Sequence, residues 1–285
     1  PPIQDPSKVT RAHLEKYLSV LTEKYKVKTV KRKISSIKGF FTYLDDRELL
    51  TDNPFQKFKL RLQEEIRRPK SMSMSEIDRL LHYLYHSNPT AQKAQEKAQL
   101  AIQDPRHLSR IYLKEILWYR DVSILELLFA TGIRVAELCS LKFCDYNKTD
   151  NAFTVIGKGN KERTILLLNR QAVTTFHQYL FLRKAFFQEK EHIFLTRFDQ
   201  PMSTQAVRNL VEKYAGLAGL SKRITPHYFR HSFATLLLQQ GVDIRYIQEF
   251  LGHSSITTTQ IYLHVSDEQK RSILGSMHPR EKISI

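Results

Sequence analysis

The 285-residue sequence has only two cysteines, Cys139 and Cys144, and no run of about 18 apolar residues. A single Cys-x4-Cys pair is neither a disulfide framework nor a convincing zinc site, so both thiols are expected to be reduced, with Cys139 in the core. The missing apolar run and the lack of a signal-peptide pattern argue against membrane insertion or export and predict a cytoplasmic, nucleoid-associated protein. At 41% hydrophobic residues, the chain is able to build one large or two ordinary cores.

Acidic residues are scarce relative to basic ones. The chain has 29 Asp and Glu against 45 Lys and Arg, which gives a formal net charge of +16 and a pI near 9.7. Residues 1–70 hold 17 of the basic and 9 of the acidic residues, so half of the excess lies on a quarter of the chain. A compact protein with such an excess attracts polyanions, and nucleic acid is the first partner to consider, although a charge run by itself is as often a solvated face.

The N-terminal region predicts a small helical unit. Thr10 is a plausible N-cap, and apolar residues recur at helical spacing over residues 14–21 and 30–44. The polar face of the second helix mixes small hydroxyls with long cations, which suits a phosphate backbone. These cations, the candidate DNA-binding residues, are Lys31, Arg32, Lys33 and Lys38. Because the sequence begins Pro-Pro without Met, upstream residues are expected to be missing.

A polar stretch separates this unit from the rest. Residues 61–75 mix charge, Pro and Ser without apolar periodicity, so we place a DNA-binding domain at 1–66, a linker at 67–74 and a second domain at 75–285. Ser73 and Glu76 form a capping box that predicts a helix at the start of that domain. Residues 86–120 are the least readable and favour a surface helix or an insertion.

The pattern beyond residue 120 predicts a mainly helical domain with one small sheet. An apolar run ends at Thr131-Gly132, and the next short helix is predicted to carry Arg134 in its first turn and Glu137 behind it. Two apolar stretches flank a Gly-Lys-Gly-Asn loop, which is a β-hairpin signature with Lys158 at its tip. The remaining elements are predicted as strands over 153–156, 164–168 and 193–195 and helices over 171–187 and 203–218.

The densest set of groups able to handle a phosphodiester lies in residues 225–262. His227 and Arg230 are three apart and therefore share one face of a predicted helix. A further helix is expected to end at Leu251-Gly252, so that His253 follows a helix end and Tyr262 comes nine residues later. Arginine and histidine near a tyrosine suggest phosphoryl transfer.

Each of these residues also has an ordinary interpretation. Arg134 with Glu137 at i, i+3 is the spacing of a surface ion pair, and Lys158 reads as a solvated turn lysine with Lys161 as a competitor for any role. His227 and His231 have the spacing of metal ligands on a helix, but no third ligand follows at a familiar interval. We therefore predict no metal and expect His231 behind the site or in the core.

Five blocks in order resemble the tyrosine recombinases of the Xer and phage-integrase type: ATGIRVAEL, IGKGNKERT, HYFR, LGH and the tyrosine nine residues further on. The resemblance implies a small all-α core-binding domain and a larger α+β catalytic domain that together clamp double-stranded DNA. It also implies a homotetramer that exchanges strands through a Holliday junction, without a metal or other cofactor, on chromosomal or mobile-element DNA.

The resemblance further implies the role of each site residue. Tyr262 is the nucleophile that forms a 3′-phosphotyrosyl intermediate. The groups that assist it are Arg134, Arg230 and His253 as phosphate ligands, Lys158 as the acid for the departing 5′ oxygen, and His227 for the tyrosine proton. Glu137 and His231 are supporting residues, with Glu137 orienting Arg134.

Some features depart from the family pattern or admit other functions. Residues 86–120 are longer than the usual connection, and the small domain is short by one leading helix. A C-terminal helix around Ile273 and Leu274 is expected either to dock on a neighbouring subunit, as in the family, or to cap its own core. A type IB topoisomerase and a non-catalytic DNA-binding protein of the same fold are the alternative functions.

Overall fold

The computed structural model describes residues 5–56, 58, 60, 62, 71–87, 105–157, 162–187, 190–252 and 267–283. Contacts divide the chain into two compact units, Pro1–Arg68 and Pro69–Ile285, each with its own apolar core. Among the described residues, no helix combines the length and the apolar character needed to cross a membrane.

The first unit is built on helices α1 (Arg11–Lys24) and α2 (Val27–Asp46). Thr10 precedes α1 as the predicted N-cap, with the His13 ring closing the capping box. The apolar faces of the two helices meet, and the buried core residues of the unit are Leu14, Leu21, Val30, Ile34, Phe41 and Phe55. The predicted helical periodicity is thus confirmed, although two residues within it, Tyr17 and Phe40, are 38% and 49% exposed.

Eight helices lie in the described part of the second unit. They are α3 (Met74–His86), α4 (Pro105–Thr131), α5 (Val135–Ser140), α6 (Arg170–Phe186), α7 (Thr204–Leu217), α8 (Pro226–Gln239), α9 (Ile244–Leu251) and α10 (Asp267–Met277). Helix α4 is the central element, since α5, α6, α7 and α8 all pack on it. The predicted Ser73–Glu76 capping box is present at the start of α3, and α6 and α7 begin and end within one residue of the predicted bounds.

The sheet is a three-stranded antiparallel meander of β1 (Tyr146–Asn147), β2 (Ala152–Ile156) and β3 (Glu162–Leu166). The predicted hairpin is confirmed, with Thr154 opposite Thr164. The predicted strand at residues 193–195 is wrong: in this stretch only Leu195 takes part in an isolated bridge, with Pro201, and all three side chains are fully buried. A short run of apolar residues is compatible with several kinds of buried segment, so it does not by itself identify a strand.

Part of the segment predicted as a surface helix or insertion belongs to the core. Helix α4 begins at Pro105, a residue tolerated in the first turn of a helix because its missing N–H has no intrahelical partner there. Trp118 is buried and donates a hydrogen bond from Nε1 to the Leu84 carbonyl at 3.0 Å. The preceding residues, 88–104, lie outside the described part of the chain.

The C-terminal segment packs on its own unit. Leu274 of α10 is buried with Phe233 and Phe250 in a second apolar cluster. Beyond α10, the guanidinium of Arg280 is 1% exposed and holds the carboxylate of Glu126 on α4 at 2.8 Å. Intramolecular packing, one of the two alternatives for this helix, is therefore present in the single chain.

Candidate active site

Arg134 lies where α4 ends and α5 begins. The chain turns at Gly132 with a φ of +60°, and a Cβ atom at that position would come within 2.9 Å of side-chain atoms of Phe233 and Leu251. Glycine therefore allows the end of α4 to lie against α8 and α9. Arg134 is the N-cap of α5, one position before the predicted first turn, and its side chain is 34% exposed.

Glu137 anchors this arginine from the first turn of α5. Its carboxylate is 8% exposed; Oε2 accepts the Arg134 backbone N–H at 2.9 Å and Oε1 accepts Arg134 Nη1 at 2.8 Å. The contact that an orienting role for Glu137 requires is thus present. It is a partly buried pair, rather than the exposed ion pair of the ordinary interpretation, so it is shielded from solvent screening.

Arg163 of β3 binds the same carboxylate and was not among the predicted site residues. Its Nη1 and Nη2 donate to Oε1 and Oε2 of Glu137 at 2.9 and 2.7 Å, a bidentate pair. Burial raises the pKa of Glu137, but the hydrogen bonds from Arg163 and Arg134 outweigh burial and lower that pKa to about 2. In the hairpin register Arg163 lies opposite Val155 and on the same side as Ile165. Arg163 lies one residue before the predicted strand at 164–168. Had that strand been extended by one residue, Arg163 would have shared a face with Ile165, where a buried arginine requires a partner.

Arg230 of α8 connects the ends of two helices. Its Nη1 donates to the Gly132 carbonyl at 2.7 Å and its Nη2 to the Leu251 carbonyl at 2.6 Å, and the residue is 8% exposed. Burial, reinforced by the charges of Arg134 and Arg163, lowers the pKa of Arg230 to about 10, so the side chain remains a cation at neutral pH. Of the five N–H donors of a guanidinium, three remain for other acceptors.

All three arginines converge on the end of α9, and two of them, Arg134 and Arg163, also share the Glu137 carboxylate. Three consecutive carbonyls accept a hydrogen bond each: Phe250 from Arg163 Nε, Leu251 from Arg230 Nη2 and Gly252 from Arg134 Nη2. Three guanidinium charges set against the single charge of Glu137 leave a formal +2. We call Arg134, Arg163, Arg230 and Glu137 the arginine cluster. Such an arrangement of fixed donors with excess positive charge suits a phosphate.

The two histidines of α8 are both exposed. His227 lies on the same helix as Arg230, three residues before it, as predicted. His231 is exposed rather than part of the core, and burial of part of its ring together with the nearby His227 and Arg230 lowers its pKa. Within the ranges that the structure describes, no three His, Cys, Asp or Glu side chains form a group that would hold a metal ion.

Three predicted catalytic residues, Lys158, His253 and Tyr262, lie outside the described residues, as does Lys161. In the sequence, Lys158 lies five residues before Arg163 of β3, and His253 directly follows Gly252, the residue after α9. The structure thus brings together Arg134, Glu137 and Arg230 of the predicted set.

The predicted DNA-binding cations lie on α2 of the first unit. Arg32 and Lys38 are exposed, whereas Lys31 and Lys33 are half-buried. The Lys33 ammonium lies 4.8 Å from the centre of the Tyr25 ring, a cation–π contact that leaves its charge near the surface.

Comparisons with known proteins identify the family. Residues 95–269 match the Phage integrase family. A tyrosine recombinase of Agathobacter rectalis is 39% identical over 98% of this chain and 85% of its own length, and the tyrosine recombinase XerC of Listeria welshimeri is 32% identical over the same shares. The XerH site-specific recombinase, in a post-cleavage complex with palindromic difH, shares the fold with a TM-score of 0.68 at 20% identity, over 96% of this chain and 74% of that chain. These matches confirm the resemblance: this chain belongs to the phage integrase family of tyrosine recombinases.

Proposed function

We propose that this chain cleaves and rejoins duplex DNA at a specific site, with Tyr262 attacking a phosphodiester to give a 3′-phosphotyrosyl intermediate and a free 5′-hydroxyl. The observation that carries the proposal is the convergence of Arg134, Arg163 and Arg230 on the carbonyls at the end of α9, with Arg134 and Arg163 also bound to one buried carboxylate. A phenol with the usual pKa near 10 is ionised to about one part in a thousand at pH 7. Such a nucleophile requires strong stabilisation of the phosphate that it attacks, and the arginine cluster supplies it.

In this mechanism Arg134 and Arg230 donate to the non-bridging oxygens of the phosphate. Arg134 is partly exposed and is held by the Glu137 carboxylate. Arg230 is held by two carbonyls. Both guanidinium groups are therefore in position before charge builds on the phosphorane. Donors that are already fixed are worth most in the transition state, and removal of one typically costs about 10²- to 10³-fold in rate. The guanidinium charges take the place that a metal ion has in other phosphoryl-transfer enzymes.

The remaining roles fall to residues next to the cluster in the chain. His253 adds a third phosphate contact, Lys158 protonates the departing 5′ oxygen and His227 handles the tyrosine proton. Support comes from chain connectivity: residue 253 directly follows Gly252, whose carbonyl accepts a hydrogen bond from Arg134.

A nicked suicide duplex tests the nucleophile. Incubation of the protein with a site taken from the DNA beside its gene is expected to trap a covalent protein–DNA adduct, because the fragment that carries the 5′-hydroxyl diffuses away. Tyr262→Phe is expected to abolish the adduct, as measured by denaturing gel electrophoresis. Tyr246→Phe, at a half-buried tyrosine of α9, is the matched control and is expected to keep it. An adduct that survives Tyr262→Phe would refute the assignment.

For DNA binding, we propose that residues 1–66 form a core-binding domain, that 67–74 are a linker, and that the catalytic domain at 75–285 closes on the other side of the duplex. The separate core of the first unit and the exposure of Arg32 and Lys38 support this division.

For assembly, we propose that the protein works as a tetramer on two sites and exchanges strands through a Holliday junction. The C-terminal helix would then exchange between subunits, and the helix of a neighbour would fill the apolar surface that Leu274 covers in the single chain. Relaxation of supercoiled plasmid without any recombinant product would instead favour the topoisomerase alternative.

A further inference from the structure

Arg163 has no part in the predicted catalytic set, yet its side chain donates more hydrogen bonds to described residues than the side chain of Arg134 or Arg230. It donates two hydrogen bonds to Glu137 and a third, from Nε, to the Phe250 carbonyl at 3.3 Å. Its side chain is 11% exposed, against 34% for Arg134. Because Nε, Nη1 and Nη2 all donate to protein groups, Arg163 acts on its neighbours rather than on a ligand.

The first neighbour is the carboxylate of Glu137. Each carboxylate oxygen accepts two hydrogen bonds, one from Arg163 and one from Arg134. With Arg163 spanning both oxygens, the side chain of Arg134 binds the carboxylate through Nη1 alone. Without Arg163, the carboxylate would be free to take both Nη groups of Arg134 and to neutralise it, since a bidentate arginine–carboxylate pair is the preferred geometry.

The second neighbour is the turn that follows α9. Gly252 has a φ of +62°, and a Cβ atom there would lie 2.8 Å from Cδ of Arg163. The aliphatic part of Arg163 therefore runs directly against this turn, while its Nε holds the Phe250 carbonyl. The same side chain thus fixes the backbone immediately before His253.

We propose that Arg163 is a positioning residue for strand cleavage: it saturates Glu137 so that Arg134 stays available to the scissile phosphate, and it fixes the end of α9 beside His253. This inference rests on the proposed function, since it assigns Arg163 a role in the same site. It differs from a purely structural role because it depends on the charge balance between Arg163 and Glu137.

Substitutions of Arg163 in the full chain distinguish the effect of its charge from the effect of its side-chain geometry. The cluster carries a formal +2, which Arg163→Gln reduces to +1 and Arg163→Lys preserves without the bidentate fork. The double variant Arg163→Gln/Glu137→Gln returns the charge to +2 and removes the carboxylate that would otherwise capture Arg134. Arg245→Gln, at an exposed ion pair at the opposite end of α9, controls for the loss of one positive charge.

The readouts are single-turnover adduct formation on the suicide duplex, DNA affinity and thermal unfolding. Arg163→Gln is expected to slow adduct formation by roughly 10- to 100-fold, less than the loss of a direct donor, with DNA affinity unchanged. Arg163→Lys is expected to lie between this variant and the wild type, and the double variant is expected to regain a large part of the lost rate. Arg245→Gln is expected to match the wild type.

Two results would overturn the inference: a wild-type rate in Arg163→Gln, or a folded double variant that is no faster than Arg163→Gln. If Arg163→Gln shows no cooperative unfolding transition, the same comparison is made with Arg163→Lys, alone and combined with Glu137→Gln. Absence of an adduct with the wild-type protein would refute the proposed function itself, whereas a wild-type adduct with an unaffected Arg163→Gln refutes only the role of Arg163.

Discussion

At the residue scale, the arginines of the arginine cluster donate hydrogen bonds to backbone carbonyls and keep their positive charge. The last carbonyls of a helix have no intrahelical partner, and those at the end of α9 receive theirs from Arg134, Arg163 and Arg230. Cations are also favoured at this end of a helix by its dipole. The arginines are therefore held rigidly by the fold before any phosphate arrives, which is the condition for preset electrostatic stabilisation.

Gly132 helps to hold the arginine cluster in place, because its carbonyl binds Arg230 and its lack of a side chain lets Phe233 and Leu251 pack against it. Gly132→Ala is expected to lower the free energy of unfolding by about 1–2 kcal/mol for the left-handed backbone and by about 1–3 kcal/mol more for the contacts at 2.9 Å with Phe233 and Leu251. Urea denaturation measures the loss. Adduct formation is expected to slow as well, because Arg230 binds the carbonyl of this residue.

Gly219 provides a matched control for that substitution. It has a φ of +69°, but a Cβ atom there would meet nothing within 4 Å. Gly219→Ala is therefore expected to show the backbone cost alone and normal cleavage. Equal losses of stability in the two variants would show that the neighbours of Gly132 move aside freely and would contradict the packing argument.

At the scale of helices and strands, the sequence predicts those elements whose bounds depend on residues close together in the chain. Caps and helical periodicity are local, so they predict α1, α3 and α7 closely. The start of α4 escapes prediction because Pro105 is typical of a break, whereas a proline also begins helices. Arg163 escapes prediction because its partner, Glu137, lies 26 residues away and becomes adjacent only when β3 packs against α5.

The C-terminal element is anchored by buried polar groups as well as by Leu274. The Arg280 guanidinium binds the buried Glu126 carboxylate, and the His278 ring packs against Phe129 and Phe233. His278 Nδ1 accepts the Arg280 backbone N–H, while Nε2 has no partner among the described residues. Burial, together with the charge of Arg280, lowers the pKa of His278 to about 3.

This histidine is expected to make stability depend on pH. Because its pKa is near 6.5 in the unfolded chain and about 3 in the fold, the unfolded state binds the proton first, and stability falls as pH drops from about 6.5 towards 3. The expected loss from this one group is about 1.4 kcal/mol between pH 7.5 and 5.5. Urea denaturation at the two pH values measures it.

His278→Asn is the variant that isolates the effect. Asparagine keeps an acceptor for the Arg280 N–H but does not titrate. It is expected to be less stable than the wild type at pH 7.5, because it leaves a cavity, and to lose less stability on acidification. An unchanged pH dependence in this variant would assign the effect to other groups.

At the scale of the whole molecule, charge and chemistry are divided between the two units. Residues 1–70 contribute +8 of the formal +16, although they include few of the buried side chains. The arginine cluster lies entirely in the second unit. DNA affinity and DNA cleavage are therefore expected to respond to different substitutions, with non-specific affinity governed mainly by the number of phosphates that the cations neutralise.

The polar face of α2 is expected to supply a large share of that affinity. One variant replaces by Gln the four predicted DNA-binding cations, Lys31, Arg32, Lys33 and Lys38. A control variant removes the same charge from the same unit by replacing Lys8, Arg11, Lys16 and Lys24. Fluorescence anisotropy with a duplex of arbitrary sequence, at several salt concentrations, measures the slope of log K against log salt. The magnitude of this slope falls by about 0.9 for each phosphate that the variant no longer neutralises.

The α2 variant is expected to bind DNA more weakly and with a shallower slope, whereas the control variant is expected to keep most of the affinity and most of the slope. If both variants show the same decrease in slope, net charge rather than the face of α2 governs binding, and the assignment of this face to DNA is wrong.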